Sequence, residues 1–193
     1  VSADAVGDHH MHAEEVVVGR AVIESLADGL PVLAMGTTAA RTLESLYWWA
    51  LDWQRSGTMP SYVDQWAPYE GLLASGFSAQ GEGLPVSGSS AGGQAAAGND
   101  SLDPEVCALF AWAARELKER GQDVVSFRTA LIIAPGYSYH VVNALITNFH
   151  QPQSTLLLLI AAGLGTEWRR IYEHALANDY RFLSYGDANL YRF

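Results

Sequence analysis

Cysteine is almost absent from these 193 residues. Cys107 is the only one, so no internal disulfide can staple the fold. Its apolar neighbours Val106, Ala108 and Leu109 predict a buried, inert thiol rather than a nucleophile. Lysine is as scarce: Lys118 stands alone beside ten arginines, and the formal net charge is −10. Nucleic-acid affinity comes mostly from Lys and Arg on phosphates. The charge therefore argues against nucleic-acid binding by this stretch alone, unless its arginines cluster in space or a basic surface lies outside it. Charged residues make up 17% of the chain, below the roughly 25% usual for soluble domains, so part of the surface is expected to be an interface. Long hydrophobic runs are missing too. The longest, Leu156 to Leu164, is about half of what a bilayer span needs, and no charged-then-apolar leader opens the sequence. A soluble, cytoplasmic protein with no membrane association is expected, a monomer by default.

The sequence does have apolar mass: 49% hydrophobic residues and six tryptophans, enough for one substantial core or one lobe of a larger fold. Val16 to Val18 reads as a strand and Arg20 to Ala27 as a helix stopped by Asp28-Gly29. Leu30 to Met35 is a strand running into Gly36-Thr37-Thr38 and a helix from about Ala39 to Trp53. From about Ser56 to Asn99 periodicity fails and Gly, Ser, Pro and Ala accumulate. A flexible loop is expected at about 81–101, with Tyr62, Trp66 and Tyr69 pinning the start of the segment. Asp103-Pro104 caps an amphipathic helix to Arg120 that Gly121 ends. Val124 to Ala134 is strand-like, Pro135-Gly136 a turn, and Tyr139 to Leu145 continues the sheet. A buried helix over Thr155 to Ala162 breaks at Gly163 to Gly165. Thr166 caps a helix to Ala177 with Trp168, Tyr172, Ala175 and Leu176 on one face, and Phe182 to Leu190 closes as a strand. The layout is α/β: a mixed sheet or partly closed barrel flanked by helices, one lobe over 1–193, with a Gly/Ser-rich mobile insertion at about 47–120.

Four stretches are dense in polar groups. At Leu145 to Ser154 (L-I-T-N-F-H-Q-P-Q-S) a strand ends among Thr147, Asn148, Phe149 and His150, and a Pro-x-Ser turn launches a helix. H-H-M-H-A-E runs from His9 to Glu14, G-T-T-A-A-R-T-L-E from Gly36 to Glu44, and Y-R-F-L-S-Y-G-D from Tyr180 to Asp187. His9, His12 and Glu14 could be metal ligands, a structural histidine pair or a catalytic cluster. Their spacing differs from H-E-x-x-H and no second ligand cluster matches, so no metal is expected. Gly36, Thr37 and Thr38 could cradle a carboxylate, a ribose hydroxyl or a phosphate on free N–H groups, or be only a Thr N-cap. Arg41 and Glu44, a turn apart, could form a surface ion pair or face a cleft. His150 is loop-exposed and suits proton transfer or packing. Asp187 suits an Asx-turn, and Tyr185 suits stacking on a base or a sulfonium, though periodicity alone assigns it to the core.

These four blocks, in this order, resemble the S-adenosylmethionine:tRNA ribosyltransferase-isomerase family of the queuosine pathway. The resemblance covers the C-terminal portion of that family, so the chain reads as an excised fragment, silent by itself. It implies transfer and isomerisation of the ribosyl moiety of S-adenosylmethionine onto 7-aminomethyl-7-deazaguanine in tRNA, giving epoxyqueuosine-tRNA, adenine and methionine. S-adenosylmethionine is then a substrate and no further cofactor is needed, while tRNA binds through the full-length protein. On this implication His12, Glu14, His150 and Asp187 are the catalytic candidates. His9, Gly36, Thr37, Thr38, Arg41, Glu44, Thr147, Asn148, Phe149 and Tyr185 are substrate-binding candidates, and the sites should converge on one cleft. Two positions depart from the family: Asn143 replaces an aspartate and Gln153 a lysine. A compensated exchange predicts that these two side chains meet. The rival readings are a non-catalytic or altered-specificity homologue and a binding or scaffold module.

Overall fold

The computed structural model describes residues 11–69, 101–151 and 154–193. Within them β1 (Glu14–Gly19) leads straight into α1 (Arg20–Ala27), and β2 (Leu33–Met35) into α2 (Thr37–Ser56). The short β3 (Tyr62–Val63) and a 3-10 turn at Ala67–Tyr69 follow, then α3 (Pro104–Glu119), β4 (Val124–Thr129) and β5 (Ala144–Asn148). Two helices, α4 (Thr155–Leu164) and α5 (Glu167–Ala177), precede β6 (Ala188–Arg192). The strands form two three-stranded mixed sheets rather than one, ordered β1-β4-β3 and β2-β5-β6, and the described residues close no barrel.

Alternation drives the first sheet. Along β4, Val125, Phe127 and Thr129 point inward, and antiparallel β1 matches them with Val16 and Val18. Against this face lie Trp49 and Trp53 of α2, Phe110 and Leu117 of α3, and Ile23 of α1, each at most 1% exposed. Trp49 stacks on Phe127 at 5.6 Å and Trp53 meets Trp112 edge-on at 5.0 Å. Each such side chain contributes about 1.5–3 kcal/mol by burial. As the sequence indicates, α3 opens on Asp103, whose Oδ1 accepts the Glu105 N–H at 2.7 Å with Pro104 in the first turn. The second sheet packs Ala34, Leu145 and Tyr191 against Leu131 to Ala134, Leu159 and Ile160.

Several elements differ from the sequence reading. The strand beginning at Val124 ends at Thr129, because the Thr129 hydroxyl turns to receive the Leu131 N–H at 3.1 Å. Residues 139–143 are not a strand: the amides of His140, Val141 and Val142 point at Glu44. Gly163 does not break its helix, which runs to Leu164. A Cβ there would lie 2.3 Å from the Phe193 ring, so the glycine admits Phe193, which stacks on Tyr139 at 4.2 Å. Thr166 makes no side-chain cap, Leu176 is 68% exposed, and the closing strand begins at Ala188 because 182–187 is a turn. Cys107 is half-buried, its Sγ 3.9 Å from the Leu102 carbonyl. Tyr69 does anchor its segment: its hydroxyl receives the Ala134 N–H at 3.0 Å, and burial pushes its pKa up to about 12. Tyr62 is exposed instead. Apart from residue 101, the expected flexible loop lies outside the described residues.

Candidate functional site at two strand-to-helix junctions

β2 and β5 are parallel neighbours, with Met35 beside Ile146, and each runs at its carboxyl end into a helix-launching turn. Parallel α/β layers bind ligands beyond this end of the strands, where chain and helix N-termini diverge. The first turn is tied to the second strand, since the Gly36 N–H donates to the Ile146 carbonyl of β5 at 2.8 Å. Gly36 has φ 88° and ψ 154°, a conformation that disfavours side chains. No side chain caps α2 behind it, so its first-turn N–H groups face outward past Thr37 and the exposed Thr38. Thr37 and Arg41 share the wall of a cavity of about 20 Å³ with Met11, Thr155 and Leu156, which brings the N-termini of α2 and α4 to one spot. The Arg41 guanidinium pairs with the Glu14 carboxylate across the mouth of β1, not with Glu44. His12 is exposed beside Met11, whose N–H donates to Gln65 Oε1 at 2.9 Å.

At the second junction Thr147 Oγ1 lies 2.9 Å from His150 Nε2. His150 is half-buried, and burial lowers its pKa from the ordinary value. Ser154 caps α4, its Oγ accepting the Leu157 N–H at 3.3 Å while donating to the Gln151 carbonyl. Asn148 clamps the last block: its Nδ2 donates to the carbonyls of Gly186 at 3.1 Å and Asp187 at 3.4 Å. The Asp187 carboxylate receives the Arg181 N–H at 2.7 Å, so it closes its own turn. Tyr185, which periodicity assigned to the core, is 97% exposed at the tip of that turn.

The fold thus gathers Glu14, Arg41 and Thr37 at one junction, and Thr147, His150, Asn148 and Asp187 at the adjoining one. Two candidates are elsewhere. Phe149 is 2% exposed among Tyr172, Tyr180 and Phe182. Glu44 is fully buried and receives the amides of His140, Val141 and Val142 at 3.0, 2.9 and 2.8 Å and the Tyr137 hydroxyl at 2.7 Å. Burial raises its pKa while these four donors pull the other way. A carboxylate so engaged holds a loop and has no oxygen left for substrate. His9 and Gln153 lie outside the described residues. The expected meeting of Gln153 with Asn143 is therefore not described, although Asn143 Oδ1 does receive the Val32 N–H at 2.8 Å.

A larger cavity of about 450 Å³ opens between α2 and α3, bordered by Tyr47, Asp103, Glu105, Tyr139, His140 and Asn143. Its walls carry two carboxylates and no Lys or Arg, which suits an anionic ligand poorly. The junctions, with Arg41 and two helix N-termini, suit one better.

The arrangement defines an α/β protein whose polar residues collect where two parallel strands become helices. Residues 97–191 match the model of a family described as queuosine biosynthesis protein, and the resemblance carried by the motifs is borne out. An S-adenosylmethionine:tRNA ribosyltransferase-isomerase of Cereibacter sphaeroides is 57% identical over 63 residues, 32% of this chain and 18% of that protein. One of the same name from Aromatoleum aromaticum is 61% identical over 61 residues, 31% of this chain and 18% of its own length. The aligned stretch thus spans under a fifth of the relatives it matches. A crystal structure of S-adenosylmethionine tRNA ribosyltransferase from Thermotoga maritima is 35% identical where it aligns, covering 39% of this chain and 35% of that one. Its TM-score of 0.34 is too low to define a shared fold.

Proposed function

We propose that this chain supplies part of the active site of a tRNA ribosyltransferase-isomerase, taking S-adenosylmethionine as ribosyl donor and a 7-deazaguanine in tRNA as acceptor. The observation that carries this reading is the tie between the first turn and the strand that leads to the second. Gly36 bonded to Ile146 of β5 holds the uncapped start of α2 against the strand that ends in the Thr147–His150 pair. Arg41 and the N-termini of α2 and α4 favour the carboxylate of the donor's amino-acid part. His150, kept neutral by burial, can accept a proton such as the acidic one beside the sulfonium. Its Nε2 contact with Thr147 fixes the ring, leaving Nδ1 for that role. Tyr185, exposed at the rim, can lie over an adenine ring or the sulfonium. The −10 charge of this chain assigns most phosphate contacts to other parts of the complete protein.

The test is adenine release from S-adenosylmethionine by the complete protein, with and without modified tRNA. Release that depends on tRNA and falls at least about a hundred-fold in His150→Ala supports the reading. Wild-type protein that releases no adenine overturns it.

A further inference from the structure

Beneath the second junction lies a group of buried hydroxyls that the motifs did not single out. Tyr172 of α5 is 5% exposed, and its hydroxyl receives the His150 backbone N–H at 3.1 Å. Its ring is held edge-on by Phe149 at 5.3 Å, Trp168 at 5.7 Å and Phe182 at 5.9 Å. On β6, Asn189 and Tyr191 stand opposite Thr147 and Leu145 and face the same interior. The Tyr191 hydroxyl and Asn189 Nδ2 are both buried and meet no partner at hydrogen-bond geometry among the described residues. Buried polar atoms are nearly always paired, so this concentration behind one loop is uneconomical for a part of the fold serving stability alone.

We propose that Tyr172 is a positioning residue for His150: its hydroxyl, held in an aromatic frame, fixes the backbone of the T-N-F-H turn so that the imidazole stays on Thr147. The inference rests on the reading of His150 as the proton-accepting group. His150 is anchored at two points on different elements, its ring through Nε2 to Thr147 of β5 and its backbone N–H to Tyr172 of α5. Removing the Tyr172 hydroxyl frees the backbone that carries the ring. Tyr172, on the His150 amide, and Tyr191, next to Tyr172, are neutral near pH 7 as tyrosines ordinarily are, and burial raises their pKa values further. The ring's own shift has burial as its cause, so it reports how tightly the turn is closed over it.

In the complete protein, Tyr172→Phe keeps the ring and removes the hydroxyl. The expected result is a kcat lowered about ten-fold with KM changed less than about two-fold. The His150 titration midpoint, followed by NMR and assigned with His150→Gln, should also rise toward its ordinary value as water enters the loosened turn. Phe182→Leu disturbs the same aromatic frame without touching the hydroxyl. It should lower the melting temperature and leave the midpoint in place. A midpoint and kcat unchanged in Tyr172→Phe would overturn the proposal. So would an equal rise in Phe182→Leu, since packing alone would then suffice. A measurement on wild-type protein guards against a variant that does not fold: the His150 amide should exchange slowly with solvent, and exchange at the rate of an open loop sinks the idea. Should the wild-type protein release no adenine, the proposed activity falls, while the midpoints and the exchange rate still decide whether Tyr172 positions His150.

Discussion

The two sheets use their inward faces differently. In β1-β4-β3 the buried positions are Val16, Val18, Val63, Val125 and Phe127, and the one polar exception, Thr129, is paired at 2.8 Å with Ser45. In β2-β5-β6 the buried positions begin as Ala34 and Leu145 and turn polar toward the end of β5, at Thr147, with Asn189 and Tyr191 alongside. The first sheet is bedded on tryptophans and has every reason to be rigid. The second gives up apolar contact where its parallel strands end, and those ends hold the hydrogen-bonding groups that chemistry needs. Helix α2 belongs to both. Trp49 and Trp53 face the first core, while Glu44 reaches the loop that feeds β5. Stability and site geometry therefore meet in one helix.

The comparison breaks most visibly at Glu44. Glu44→Ala strands three amides and the Tyr137 hydroxyl in the interior, and should lower the unfolding free energy by about 4 kcal/mol. Glu44→Gln should lose less. Urea denaturation measures both, and a Glu44→Ala loss below about 1 kcal/mol would show that the loop does not depend on this carboxylate.

In the second sheet, Gly186→Ala would set a Cβ 2.3 Å from the Arg181 carbonyl. The 181–187 turn must then open and Asn148 must lose its clamp, at a cost of about 3 kcal/mol. The first sheet should be untouched, so hydrogen exchange in β4 stays slow while that in 181–187 rises. Equal loosening of both sheets would contradict the division drawn here.

Between the sheets, His140 stacks on Tyr47 at 4.0 Å. Burial lowers its pKa to about 4, so between that value and the ordinary ~6.5 the unfolded chain binds the extra proton. The stability held by the neutral ring is complete above about pH 6.5 and is lost as pH falls through about 4. The stability of wild type relative to His140→Phe should thus drop by roughly 2 kcal/mol between pH 7 and 4. Parallel pH profiles of the two proteins would refute it.

The smallest effect belongs to the dry pair of the first sheet. Ser45→Ala alone should cost about 1 kcal/mol and Thr129→Val somewhat more, because it also strands the Leu131 N–H, whereas the double exchange should cost little more than Thr129→Val. Strict additivity in the double-mutant cycle would mean that the hydrogen bond contributes nothing.

Local signals in the chain determined much of this protein. Asp28-Gly29 stops α1, Asp103-Pro104 opens α3, and alternation marks β1 and β4, because capping groups and apolar periods act over a few residues. The motifs around Gly36 and Thr147 marked the two strand-to-helix turns, and the one around Asp187 the turn before β6, since polar groups beside an apolar run have few other uses. Only the tertiary structure decided which polar groups face out. Glu44 and Arg41 lie one turn apart on the same helix, yet the packing of α2 against residues 140–142 buries one, and the end of β1 claims the other. Tyr172 reads as one more member of an apolar stripe until α5 docks and its hydroxyl meets an amide 22 residues away. Such assignments depend on contacts between distant segments, which no local period or cap encodes. The division into two sheets was decided in the same way, by pairings between strands far apart in the sequence.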